Sequence, residues 1–306
     1  MKDFYPEGFT NEGLNLKNTV LDLNTLQDAY KSQQVLEAKA FMCDSAHNLI
    51  VNLNGVRGII PRDEGAIGIN ENKVRDIALI SRVGKSVCFT VKSLETDSFG
   101  KPYAILSRKN AQLLCRENFI SKLTPGDIIN ATITHLESFG AFCDIGCGLI
   151  ALLPIDSISV SRISHPRDRF SPGNNIKAVV KQIAPDGKIT LSHKELLGTW
   201  EENAQKFTAG QTVSGVIRSV ESYGVFVEIT PNLAGLAEPK NDVFIGQKAS
   251  VYIKSIIPEK MKVKLIIIDN FDSDYSPQIN YFYSGNHINS WYYSTKDCFK
   301  QIYTLF

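Results

Sequence analysis

The stretch ESFGAFCDI at residues 137–145 recurs as ESYGVFVEI at residues 221–229. The two stretches lie 84 residues apart inside a longer gapless self-match that runs from Leu123 to Pro239. Glycines also align across it, because Gly126 pairs with Gly210. A repeat of this length indicates that one small folding unit is used more than once.

Length and composition suit two or three small globular domains, since the chain has 306 residues. The formal net charge is only +1, so affinity for a polyanion has to come from local basic patches. No apolar run has the length of a membrane span, and the first ten residues lack the pattern of a secretory signal. The six cysteines are scattered without a disulfide-like framework, which predicts a reducing, cytoplasmic location.

The second copy of the unit shows the clearest strand pattern. β-Branched residues and alternation predict five short strands, at 128–136, 141–145, 149–153, 176–183 and 189–192. A turn signal, Pro185-Asp186-Gly187, separates the last two strands. Five strands in so short a segment, with one longer connection after the third, predict a Greek-key barrel of the OB type.

The rest of the chain is interpreted around that barrel, as an all-β protein of three tandem five-stranded OB-fold repeats joined by short helices. The first repeat is divergent. The segment after the third repeat is rich in Tyr, Asn and Ser with few aliphatic residues, which predicts either poor order or an appended segment. In chain order the expected parts are a lead-in at 1–30, repeats at 31–115 and 122–197, a linker helix at 198–207, a repeat at 208–269 and a tail at 270–306.

Two aromatic residues flank the glycine of each repeated stretch. In strict alternation Phe142 shares one strand face with Asp144, and Phe226 shares one with Glu228. A face that carries a carboxylate is expected to be the wet one, which would expose both phenylalanines as stacking surfaces for nucleobases. In the alternative, the two phenylalanines cap the barrel interior.

These residues resemble the S1 RNA-binding domain, the OB-fold repeat of the large ribosomal protein of the bacterial small subunit. The resemblance covers residues 122–268, and the first copy is a weaker match without the paired aromatics. The whole chain looks like the short, three-repeat members found in some anaerobic Gram-positive bacteria. The resemblance implies an RNA-binding surface made of Phe139, Phe142, Tyr223 and Phe226, with Lys188 and Lys262 at the opening of the last strand.

Two positions depart from the pattern of that family. A histidine often follows strand three, where this chain has Pro154 and Glu238. An aspartate often precedes the final turn, where this chain has Ala184 and, near it, Ile257. The stacking part of the expected site is therefore present without much of its polar part.

A basic connection follows the third strand of the second copy, with Arg162, His165, Arg167 and Arg169 opposed only by Asp168. Arginine both stacks on bases and binds phosphate with its planar fork, so these arginines are candidate RNA contacts. The alternative is a solvated loop with a local salt bridge. Lys92, Lys181 and Lys254 occupy equivalent positions on the fourth strands of the three copies, which favours a repeated surface role or merely a repeated solvent face. Lys181 and Lys254 are taken as candidate RNA contacts.

No catalytic motif and no paired zinc-ligand spacing stands out. Cys143 and Cys147 are interpreted as a packed thiol and a turn residue, so no metal, no cofactor and no enzymatic activity are expected. The predicted function is binding of single-stranded mRNA or rRNA in translation or RNA handling, with the small ribosomal subunit as a further expected partner and no membrane. The alternative is a non-catalytic scaffold for protein–protein interaction built on OB folds.

Overall fold

The computed structural model describes residues 4–9, 21–272 and 279–306. Within these ranges the chain forms three closed five-stranded barrels and one two-stranded sheet. The predicted all-β class with three OB-like barrels is confirmed. Among the described residues, no helix is long and apolar enough to cross a membrane.

Barrel 1 has the strand order β1-β2-β3-β5-β4. Helix α1 (Leu23–Ser32) precedes it, capped by the Asp22 carboxylate, which accepts a hydrogen bond from the amide of Thr25. This helix buries Leu26 and Ala29 in the core of barrel 1. It therefore packs as part of the first repeat, although residues 23–30 fall within the predicted lead-in. The strands are β1 (Leu36–Cys43), β2 (Leu49–Leu53), β3 (Val56–Ile60), β4 (Ser86–Thr96) and β5 (Pro102–Ser107).

Two further helices belong to the same region. The short helix α2 (Ile77–Ile80) lies in the connection between β3 and β4, and α3 (Arg108–Asn118) follows β5. Helix α3 begins directly after Ser107, whose hydroxyl accepts a hydrogen bond from the amide of Asn110.

Barrel 2 has the strand order β10-β8-β7-β6-β9, and every strand lies within one residue of its predicted bounds. The closing contact is parallel, between Thr190 of β10 and Leu152 of β8. The strands are β6 (Ile128–Glu137), β7 (Gly140–Asp144), β8 (Ile150–Pro154), β9 (Asn175–Ile183) and β10 (Ile189–Ser192).

A short helix, α4 (Trp200–Ala204), stands between barrels 2 and 3. It is shorter than the predicted segment 198–207. The Thr199 side chain fixes its start by capping it and forms a reciprocal capping box with Glu202, and the helix ends at Ala204. Trp200 and Leu196 are buried in the core cluster that contains the interior of barrel 3. The aromatic ring therefore anchors the connection by apolar burial.

Barrel 3 repeats the order of barrel 1, β11-β12-β13-β15-β14. Its last strand has ten residues, whereas the last strand of barrel 2 has four. The extra length lets β15 pair with β14 from Lys262 to Phe271. The strands are β11 (Thr212–Glu221), β12 (Gly224–Thr230), β13 (Leu233–Ala237), β14 (Lys248–Ile257) and β15 (Lys262–Phe271).

The prediction of a poorly ordered tail at 270–306 is wrong for the residues that the structure describes there. The tail contains the hairpin strands β16 (Ser290–Tyr292) and β17 (Tyr303–Leu305), and its Ile288, Trp291 and Tyr293 are buried in the core cluster of barrel 3. Aromatic side chains supply the apolar area that aliphatic residues do not. The Tyr293 hydroxyl donates a hydrogen bond to the backbone carbonyl of Asn232, which satisfies its polar end.

The chain packs as two units. The first contains barrel 1 together with residues 130–132 and 144–150, and the second contains most of barrel 2, all of barrel 3 and the tail.

Candidate nucleic-acid interface

The aromatic pair of barrel 2 lies at the turn from β6 into β7. Phe139 is in the turn and 54% exposed, and Phe142 is half-buried on β7. Their ring centroids are 6.0 Å apart and the rings are nearly perpendicular, at 89°. The site therefore presents two ring surfaces of different orientation at one edge of the barrel.

Barrel 3 repeats this arrangement with Tyr223 and Phe226. Tyr223 is 65% exposed, the ring centroids are 6.2 Å apart, and the rings meet at 87°. Two barrels with different side chains at one of the two positions thus hold the same edge-to-face geometry. Phe142 and Phe226 are half-buried, whereas their neighbours along the strands, Ala141, Cys143, Val225 and Val227, are fully buried, so the two phenylalanines do not fill the barrel interior.

A glycine at the start of strand two makes the geometry possible in both barrels. A Cβ at Gly140 would lie 2.6 Å from the carbonyl oxygen of Leu153, and one at Gly224 would lie 2.5 Å from that of Ala237. Only glycine allows the neighbouring strand to approach so closely. The glycine in the repeated stretch is therefore required by the close approach of strand three beside the aromatic residues.

Barrel 2 carries a third ring beside this pair, that of His135 on β6. The His135 ring lies 6.4 Å from Phe142 at an angle of 24°, and its Nε2 is 2.6 Å from a carboxylate oxygen of Glu137. Alternation along β6 was the signal that would have placed His135 beside β7. Among the residues that the structure describes, no group of three or more His, Cys, Asp or Glu residues is placed to hold a metal ion.

The two carboxylates that were expected to mark a wet face are buried. Asp144 and Glu228 are each 2% exposed. Asp144 accepts hydrogen bonds from the backbone amides of Glu7 (2.7 Å) and Gly148 (3.0 Å). Burial, and next the Glu7 carboxylate, raise the pKa of Asp144 to about 7. The reasoning from the acidic neighbour was therefore wrong, although Phe142 is partly accessible.

Glu228 is buried because arginine side chains cover it. Arg169 donates a hydrogen bond to one of its carboxylate oxygens, and Arg218 donates to both, at 3.1 and 3.3 Å. The side chain of Arg169 is fully buried, so its assignment as an RNA contact is corrected. The basic connection of barrel 2 thus turns one arginine inward to neutralise a carboxylate of barrel 3.

The other arginines of that connection point to solvent. Arg162 is exposed, and exposed Arg167 donates from its Nε to Nδ1 of His165 at 3.2 Å. Lys181 is half-buried, with its ammonium 3.0 Å from the Ser157 hydroxyl. Three of the predicted contacts therefore remain available to a ligand, with Arg162 and Arg167 exposed and Lys181 half-buried.

The lysines near the last strands are exposed. Lys188 lies in the turn between β9 and β10 and forms an ion pair with Asp186 at 2.7 Å. Lys262 is the first residue of β15, and Lys254 on β14 lies 3.7 Å from Glu238. These ion pairs are on the surface, where exchange for a phosphate partner costs little.

Small closed five-stranded barrels with exposed aromatic residues at strand two define a class of protein, the OB-fold binding modules. Residues 122–194 match the family described as the S1 RNA binding domain, and the chain therefore contains a domain of that family. This match covers barrel 2 from the segment before β6 to the residues directly after β10.

Similarity to two further proteins extends beyond barrel 2. The chain is 32% identical over 236 residues to the small ribosomal subunit protein bS1 of Leuconostoc lactis, which covers 71% of this chain and 52% of that protein. It is 29% identical over 253 residues to the bS1 homolog of Bacillus subtilis, covering 80% of this chain and 62% of that protein. The chain thus spans about half to three fifths of the length of these relatives.

Among solved structures, a multidomain protein with nucleic acid binding domains from Streptococcus pneumoniae is similar over 77% of this chain and 73% of that one. Its sequence identity is 13% and the TM-score is 0.25.

Proposed function

We propose that this protein binds single-stranded RNA without catalysing a reaction on it. Nucleobases stack on Phe139 and Phe142 of barrel 2 and on Tyr223 and Phe226 of barrel 3, and exposed basic side chains contact phosphates. The observation that carries the proposal is the repeated edge-to-face aromatic pair, with a ring more than half exposed in each barrel.

The physical basis is base stacking reinforced by local positive charge. Stacking of a base on an aromatic side chain contributes roughly 1–3 kcal/mol and is tolerant of sequence, because every base has a π-face. The net charge of +1 gives little long-range attraction, so phosphate contacts depend on nearby groups such as Arg162, Lys188 and Lys262. The absence of the family's usual histidine and aspartate at Pro154, Glu238 and Ala184 favours weak sequence preference.

The names of the relatives support a place for this binding. Because the Leuconostoc lactis and Bacillus subtilis relatives are named as small ribosomal subunit proteins, we place the protein in the cytoplasm, in translation, with mRNA or rRNA as ligand. The small ribosomal subunit is the proposed partner.

Fluorescence anisotropy with a labelled single-stranded RNA tests the binding. The doubly substituted variant Phe142→Ala with Phe226→Ala is expected to bind about 30-fold or more weakly than the unsubstituted protein, because a stacked base is lost on each barrel. Tyr30→Ala, which removes an exposed tyrosine from helix α1, serves as the matched control and should bind normally. Unchanged affinity in the double variant would reject stacking at these rings.

A second candidate is a scaffold for protein–protein contacts. It is favoured by barrel 1, which lacks the aromatic pair but exposes Phe41 and Met42 on β1 and Ile77 on α2. Exposed apolar side chains are typical of protein contact surfaces where they form one contiguous patch. A pull-down that survives nuclease treatment, together with no RNA binding by the pure protein, would support the scaffold over the RNA-binding proposal.

A further inference from the structure

The outer face of barrel 3 extends its aromatic pair across three more strands. Strand pairing places Phe226 of β12 opposite Leu236 of β13, and Leu236 opposite Lys264 of β15. Two residues further along β15, Ile266 lies opposite Tyr252 of β14. Side chains at alternate positions share one face of a sheet, so these five residues form one continuous surface, here called the outer stripe.

The outer stripe is exposed and contains apolar residues at its far end. Tyr252 is 38% exposed and Ile266 is 42% exposed, although an outward strand face usually carries polar side chains. Alternation confirms that Tyr252 and Ile266 point outward. Their neighbours along the strands, Val251, Ile253 and Leu265, are buried in the barrel. The tyrosine ring is therefore held at the surface by the same strands that fill the interior.

The equivalent face of barrel 2 is different. Lys181 and Lys254 align on the fourth strands, which places Val179 at the position of Tyr252. Val179 is fully buried, and its partner across the sheet is Ser192, the last residue of β10. Strand β15 continues for seven residues past Lys264, whereas β10 ends at Ser192. Of these two barrels, barrel 3 is therefore the one with an open face at this position.

The charges along the outer stripe fit a polyanion. Exposed lysines lie at Lys254, Lys262 and Lys264, on the strands that carry Tyr252 and Ile266. The carboxylates on the same strands and their borders are Glu238, which pairs with Lys254 at 3.7 Å, Glu259 in the turn between β14 and β15, Asp269 at the far end of β15 and Asp272 just beyond it. Aromatic, aliphatic and lysine side chains in one row match the requirements for a base and its phosphate.

We propose that RNA bound at Tyr223 and Phe226 continues over Leu236 and Lys264, and that a further nucleobase stacks on Tyr252 against Ile266. Lys264 contacts the phosphate between the two stacking sites. This inference rests on the proposed function and adds a binding site on the fourth and fifth strands of barrel 3, which barrel 2 does not have. It makes the two barrels unequal in the length of RNA that they hold.

The test compares RNAs that differ in length. Mixed-sequence single strands of about 4 and about 16 nucleotides, the limits of site size for one OB fold, are titrated against the full chain by fluorescence anisotropy. Tyr252→Ala is expected to weaken binding of the long strand by about 5- to 100-fold and to leave the short strand unaffected. Tyr252→Phe keeps the ring and should restore binding, whereas Tyr30→Ala controls for loss of an exposed tyrosine.

A second variant, at Lys264, tests the phosphate contact without changing Tyr252 or the packing around it. Lys264→Gln should reduce the slope of log affinity against log salt by about 1 for the long strand. Circular dichroism melts of both variants check that barrel 3 remains folded.

The outcomes separate this inference from the proposed function. If the unsubstituted protein binds neither RNA, the proposed function fails and the inference fails with it. If Phe226→Ala weakens binding but Tyr252→Ala and Lys264→Gln do not, RNA leaves the aromatic pair in another direction and only the inference is overturned. Self-association that Tyr252→Ala abolishes, with RNA binding unchanged, would make the face a protein interface and would also overturn it.

Discussion

Arg169 and Glu228, 59 residues apart in the sequence, form an ion pair that is almost completely removed from solvent. Arg169 comes from the connection of barrel 2, and Glu228 stands on strand two of barrel 3. Arg218 adds two hydrogen bonds to the same carboxylate, and its own Nη1 lies 3.6 Å from Asp168. A carboxylate buried between two guanidinium groups joins the two barrels through charge as well as apolar packing.

Breaking that pair is expected to destabilise the second unit strongly. Arg169→Met should lower the free energy of unfolding by about 3–5 kcal/mol. Without Arg169, the carboxylates of Glu228 and Asp168 share the single positive charge of Arg218. Urea unfolding followed by tryptophan fluorescence measures the change. Arg162→Met, on the exposed part of the same connection, should stay within about 0.5 kcal/mol. A loss below about 1 kcal/mol for Arg169→Met would show that the pair contributes little to stability.

Gly126 and Gly210 form a natural pair for testing how the tail docks. Both have positive φ, +94° and +95°, but a Cβ at Gly126 would lie 2.3 Å from the carbonyl oxygen of Ile288, whereas Gly210 has nothing within 4 Å. Gly210→Ala should therefore cost only about 1–2 kcal/mol of backbone strain. Gly126→Ala should cost more, since it also displaces the tail, whose Ile288 amide donates to the Gly126 carbonyl at 2.9 Å.

The readout that separates the two glycine variants is accessibility of Trp291. Acrylamide quenching of tryptophan fluorescence should increase in Gly126→Ala and not in Gly210→Ala. Equal stability and equal quenching in both variants would mean that the contact between Gly126 and Ile288 does not hold the tail in place.

Acid is expected to weaken the second unit through His193. Burial, and the nearby charge of Arg169, lower the pKa of His193 to about 4, below the ordinary value of 6.5. The unfolded chain then binds a proton at a higher pH than the folded chain does. Stability contributed by the neutral ring is therefore fully present above pH 6.5 and falls as the pH drops towards 4, by about 3 kcal/mol in total.

Tryptophan fluorescence follows the unit that contains His193, because both tryptophans, Trp200 and Trp291, are in that unit. His287 in the same unit opposes the effect of His193, because its hydrogen bond to Asp127 raises its pKa. Asp144, in the first unit, titrates with the opposite sign, since its raised pKa makes folding less favourable as the pH rises towards and above 7. The urea midpoint followed by tryptophan fluorescence should therefore be lower at pH 5 than at pH 7. In His193→Gln the difference between the two pH values should largely disappear.

Arg162 is expected to contribute to RNA binding through phosphate rather than through bases. Arg162→Gln should lower affinity for all single-stranded sequences by a similar factor and reduce the salt slope by about 1. Lys31→Gln, an exposed basic side chain on α1, is the control and should leave the slope unchanged. An Arg162→Gln effect confined to some sequences would point to base recognition and not to phosphate contact.

Local periodicity was sufficient to predict barrel 2, because the interior of a small barrel imposes alternation on every strand. Alternation does not reveal what packs against the outside of the barrel. Asp144 and Glu228 alternate outward as predicted, yet both are covered, one by the amides of residues 7 and 148 and the other by Arg169 and Arg218. Contacts between elements distant in sequence leave no periodic signal, and they decide which arginine turns inward.

The tail was misjudged for a related reason. Its buried Trp291 and Tyr293 pack on residues far away in the sequence, including Asn232, so no local apolar pattern announced a core. His135 contacts Phe142 through the pairing of β6 with β7, and the sequence pattern of one strand does not show which strand lies beside it. In each case the residue type was visible but the partner was not.

The return of the tail to barrel 2 has a consequence for synthesis on the ribosome. His287 and Asp127, 160 residues apart, are joined by a hydrogen bond of 2.7 Å next to the backbone contacts of Gly126 and Ile288. At about 5–20 residues per second, roughly 8–32 s separate the emergence of the two partners. During that interval the edge of barrel 2 near Asp127 is not covered by the tail. A nascent chain that stalls before residue 287 therefore leaves this edge accessible to chaperones or to pairing with other chains.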